Sequence, residues 1–92
     1  MMIGTLRVRL MIREARSLKD KRQVLKSIKD RLHNSFNVSV AEVEALENRQ
    51  LAVLGLAMVS NETHALKKCL GQIVEALRVH PVAELLDFEI EV

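Results

Sequence analysis

Ninety-two residues carrying a net charge of +2, with 49% hydrophobic content, describe a single domain spanning residues 1–92 around one core. The one cysteine excludes an internal disulfide, and no stretch approaches the roughly 20 apolar residues of a membrane span. Arg7 and Arg9 interrupt any apolar leader after Met1, so the expected location is cytoplasmic.

The first strand is expected from Ile3 to Arg13. Leu6, Val8, Leu10 and Ile12 alternate there with Thr5, Arg7, Arg9, Met11 and Arg13, the period of a half-buried strand. A helix then starts at Ser17, where Ser17-Leu18-Lys19-Asp20 has the form of a capping box with Asp in place of Glu. Leu18, Val24, Leu25, Ile28 and Leu32 share one side of it, and it is expected to end near Asn34. Lys21 falls within that apolar arc and is read as a snorkelling stem with its ammonium at the end of the sheet, the alternative being a cation aimed at a ligand by the loop after the first strand.

Phe36 to Val43 reads as the second strand and Glu47-Asn48-Arg49-Gln50 as a hairpin turn. The third strand, Leu51 to Val59, is apolar throughout if Gly55 is counted, as in a strand covered on both faces. Ser60-Asn61 offers the next cap. A second helix runs to about Val79, burying Leu66, Cys69, Leu70, Ile73 and Leu77, and Pro81 stops it. Leu85 to Val92 closes the chain, with Leu86, Phe88, Ile90 and Val92 inward.

The element order β-α-β-β-α-β, with right-handed crossovers, predicts an α+β, ferredoxin-like sandwich. Its antiparallel sheet would have strand order 4-1-3-2 and two helices on one face. The first and last strands become neighbours, which sets Arg7, Arg9 and Arg13 beside Asp87, Glu89 and Glu91.

The string Ser17-Leu18-Lys19-Asp20-Lys21-Arg22, with Asn37-Val38-Ser39-Val40-Ala41-Glu42-Val43 and later Gly55 to Asn61, resembles the YlxP-like family of small bacterial proteins. The resemblance implies the same ferredoxin-like fold and no assigned activity. Its genes commonly lie among translation-initiation and ribosome-maturation genes, which implies an RNA or ribosome connection by association.

Residues 1–32 hold ten Lys and Arg against three Asp and Glu, whereas residues 33–92 hold four against nine. Such asymmetry suggests an anionic partner. On the first helix Lys19, Arg22, Lys26, Lys29 and His33 fall within an arc of about 80° beside the apolar face. With Arg13 and Arg16 just before the helix they would form a basic ridge able to track phosphates of RNA or a ribosomal surface. A solvated helix edge is the plainer alternative.

A second candidate is the open sheet face. Leu51, Val53, Ala57 and Val59, with Met11 alongside, would form an apolar stripe, and the expectation is that a second copy covers it, making a homodimer with two sheets apposed. The alternative is that long Arg and Glu side chains from neighbouring strands drape over it.

Enzyme signals are missing. His33, His64 and His80 have no ligand spacing, so neither a metal nor another cofactor is expected, and Cys69 is placed in the core. The Glu14-Ala15-Arg16 loop lacks the glycines of an anion-binding loop, and the central strands lack the stacking aromatics of an RNA-recognition motif. The expectation is a non-enzymatic binding domain, probing RNA through charge and shape. The alternatives are a small-molecule-sensing dimer resembling ACT domains, or a protein-interaction module.

Overall fold

In the computed structural model, which describes residues 1–92, the chain runs β1 (Met2–Met11), α1 (Leu18–Ser35), β2 (Ser39–Glu44), β3 (Leu51–Ser60), α2 (Thr63–Arg78) and β4 (Glu84–Glu91). The strands form one antiparallel sheet of order β2-β3-β1-β4, the predicted order read from the other edge. Both helices cover one face. Leu6, Val8 and Leu10 of β1 and Ala52, Leu54 and Leu56 of β3 meet Leu25, Ile28 and Leu32 of α1 and Leu70, Ile73, Val74 and Leu77 of α2 in an aliphatic core.

The start of α1 follows from its sequence. Ser17 is extended and its hydroxyl accepts from the Asp20 N–H at 3.1 Å. The shorter Asp20 carboxylate reaches back to the Arg16 N–H at 2.9 Å, one residue before the cap. Two otherwise orphaned donors are thereby satisfied. The start of α2 differs from expectation: Glu62 is its N-cap and makes no side-chain cap bond, while the Ser60 hydroxyl accepts from the Glu62 N–H at 3.2 Å.

Strict alternation fails in both edge strands. In β4 a register shift sets Leu10 opposite Leu85, so Leu85 packs against the core and Leu86, expected inward, is exposed. Phe88 is also exposed, with the Arg78 guanidinium 5.4 Å from its ring centroid. In β2 a bulge between Glu42 and Glu44 leaves Glu42 on the helix side. Val43 then lies over Gly55, where a Cβ would meet its Cγ1 at 3.0 Å, and Glu44 comes opposite Val53. Cys69 is half-buried rather than core, and Val74 takes a core place the sequence reading did not give it.

Gly71 of α2 has open space where a Cβ would stand, so the helix gains nothing in packing for a residue that costs about 1 kcal/mol relative to Ala. No helix is long and apolar enough to cross a membrane.

His80 fixes the turn from α2 into β4. Its Nδ1 accepts from the N–H groups of Val82 at 3.2 Å and Ala83 at 3.1 Å, which requires that nitrogen unprotonated. Burial, and then the nearby Arg31 charge, lower its pKa below the ordinary 6.5. Below about pH 6.5 the unfolded chain therefore takes up a proton that the folded chain resists. Stability should be level above pH 7 and should fall as the pH drops through 6.5 towards the lowered pKa. Urea midpoints between pH 7.5 and 5.5 should show this decline in the wild type and a flatter profile in His80→Gln. Parallel profiles would remove the imidazole from the account.

Candidate functional site

Three groups of cations in β1, α1 and the loop between them differ in what neutralises them; on α2, Arg78 pairs with Glu75 at 3.1 Å, and the exposed Lys67 and Lys68 have no ion pair. On the open sheet face each arginine has a carboxylate. Arg7 reaches Glu44 at 2.7 Å, passing over β3 between Gly55 and Val53. The hydrogen bond and charge of Glu44 raise the Arg7 pKa further, against a smaller lowering by burial. Arg9 reaches Asp87 at 2.6 Å. Arg13, expected both on the helix ridge and beside the carboxylates of the last strand, goes to that strand, giving both Nε and Nη2 to Glu84 Oε2 at 3.0 and 2.7 Å. Arg13 lies just past the end of β1, whose last residue, Met11, pairs with Glu84, and this draws it to the sheet.

The second group is one residue. Lys21 is fully buried, not snorkelling. Its ammonium donates to the carbonyls of Ala45 at 3.0 Å and Leu51 at 3.2 Å, and lies 2.7 Å from Glu42 Oε2. That oxygen is buried and has no aligned hydrogen bond, so the contact is ionic. Ala45 is the only non-glycine residue with positive φ (58°), a conformation that L side chains rarely adopt. The buried ammonium thus holds α1, edge strand β2 and the β2–β3 hairpin together. The signal in the sequence was Glu42, a charge at an inward position of β2, whose proper partner was the charge in the apolar arc of α1.

The third group is the flank of α1. Lys19, Arg22 and His33 are exposed and Lys29 is half-buried, and none of them has a carboxylate within ion-pair distance. Lys26 lies 3.5 Å from Asp30, one turn along in an exposed pair that holds its charge loosely. The groove between the helices is lined on the α1 side by Ile28, Arg31, Leu32 and Ser35, so the ridge stands on the flank away from α2. From Lys19 to His33 it runs about 21 Å.

At its upper end the ridge meets Arg16, also exposed and without a carboxylate. Across a polar cleft of about 520 Å³, bounded by Ala15, Glu47, Asn48 and Gln50, stands Arg49. Its Nη1 donates to the Arg16 carbonyl at 3.4 Å. Neither Arg49 nor Arg31, exposed on the opposite flank of α1, belongs to the ridge read from the sequence. Both have signs of their own in the structure: Arg49 through its contact with Arg16, Arg31 through its effect on His80.

The apolar stripe of the sheet face is partly closed by the chain itself. Val53 is 2% exposed beneath the Arg7–Glu44 pair, so it has no surface left to offer a second copy. Met11 and Leu51 are half-buried; Ala57 and Val59 are exposed, with Ile3 paired to Val59. The draped-side-chain alternative accounts for the upper part of the stripe.

A family model described as "Protein of unknown function (DUF503)" matches residues 3–90. The chain is also similar to the "Uncharacterized protein YlxP" of Bacillus subtilis (strain 168), with 36% identity over 83 residues that make up 90% of each chain.

Proposed function

The chain belongs to the DUF503 family, and from that premise we propose that it is a non-enzymatic binding domain whose α1 flank contacts the phosphates of structured RNA, on its own or in a ribosomal particle. One contrast supports this reading. The sheet-face arginines are each matched by a carboxylate at 2.6–2.7 Å, whereas Lys19, Arg22 and Lys29 have none. Cations left free in a row along a rigid helix are what a run of phosphates requires. A sheet-paired, metabolite-sensing dimer draws less support, because the Arg7–Glu44 pair already closes part of the surface it needs.

The test is co-sedimentation of tagged protein with ribosomal particles at low salt. Binding that is released as salt rises, and lost on RNase treatment, supports the proposal. Free protein at every salt concentration, or binding indifferent to both, overturns it.

A further inference from the structure

The cleft at the head of the ridge is more than an extension of its charge. Its far wall is the β2–β3 hairpin, which is pinned to the loop before α1 by several bonds. The Ile12 N–H donates to the Gln50 carbonyl at 2.8 Å, Gln50 Nε2 donates to the Arg13 carbonyl at 2.9 Å, and Arg49 docks on Arg16. Within the turn, Asn48 Oδ1 accepts from the Gln50 and Leu51 N–H groups at 2.9 and 2.8 Å. The cleft is therefore preformed, and a ligand would not have to order it.

These bonds leave a particular set of polar groups unused. The amide nitrogen of Asn48 remains a donor and the amide oxygen of Gln50 an acceptor, since each residue has committed its other atom. The guanidinium groups of Arg16 and Arg49 have no carboxylate partner, and Glu47 contributes a free acceptor on the rim. A bare anion would meet Glu47 as a repulsion. A nucleotide suits the set better. Its phosphate takes the arginines, its base edge offers both donors and acceptors, and its ring plane can stack on a guanidinium. A volume of about 520 Å³ is also on the scale of small-molecule sites and not of a single phosphate.

We propose that this cleft seats one unpaired nucleotide of an RNA whose neighbouring phosphates lie along the α1 ridge. The proposal rests on the RNA reading above and specifies its substrate as a duplex interrupted by a bulge.

The experiment titrates wild type and Arg49→Ala with two hairpin RNAs, identical except for a single-nucleotide bulge. Base stacking and edge contacts predict that the wild type prefers the bulged RNA by about tenfold. Arg49→Ala should lose that preference while binding the uninterrupted duplex as the wild type does, which also shows that the variant is folded. Equal wild-type affinity for both RNAs overturns the cleft proposal and leaves the ridge standing. A bulge preference that survives Arg49→Ala overturns it as well. Absence of binding to either RNA overturns both proposals.

Discussion

Lys21→Met should destabilise the domain by about 3–5 kcal/mol, the usual consequence of leaving a buried partner charge uncompensated. Met fills nearly the same volume, so the loss is electrostatic and not a matter of packing. The substitution strands the Glu42 carboxylate, whose Oε2 has no other polar partner, and releases the carbonyls of Ala45 and Leu51. A domain of this size has only about 5–15 kcal/mol to lose, so urea unfolding should shift by a large part of its range. Lys21→Met combined with Glu42→Leu should recover most of the loss, because an apolar pair removes the stranded charge. A single variant within 1 kcal/mol of wild type would mean that water reaches the pair. A double variant no better than the single would place the energy in the two carbonyl bonds.

Reversing the free cations in Lys19→Glu, Arg22→Glu and Lys29→Glu together should reduce affinity for structured RNA by about 100-fold or more at 50 mM salt. The fold should tolerate the change. None of the three makes an ion pair, and a negative charge at position 19 lies in the first turn of α1, where the helix dipole favours it. Arg13→Ala should leave binding nearly unaltered, since that guanidinium is committed to Glu84. RNA affinity that follows Arg13 and ignores the triple variant would relocate the contact to the sheet.

The sequence carried the architecture because its signals were redundant. Two helical periods, one hairpin turn, the Ser17 cap and an alternating β1 each point to the same β-α-β-β-α-β order. It failed where a single residue breaks a period. The β2 bulge sends Val43 and Glu44 to the open face together, which a period of two cannot express, and the β4 register shift exchanges Leu86 for Leu85. Lys21 was misread for a related reason. A lysine in the first turn has an easy route to water unless a carboxylate waits on the facing strand, and that pairing joins residues 21 apart through the fold. The ridge was legible because helical spacing alone places Lys19, Arg22, Lys26 and Lys29 together. Arg13 could be read both onto the ridge and beside the carboxylates of the last strand, and only the fold, which sets it against Glu84, decides between the two.

The slope of log affinity against log salt for structured RNA, in wild type and in the triple α1 variant, tests most directly whether those cations hold phosphates. With four contacts the wild-type slope should be near −3, at about −0.7 to −0.9 per phosphate, and the variant should lose about two to three units of it. A flat wild-type response, or equal slopes in the two proteins, would contradict the account.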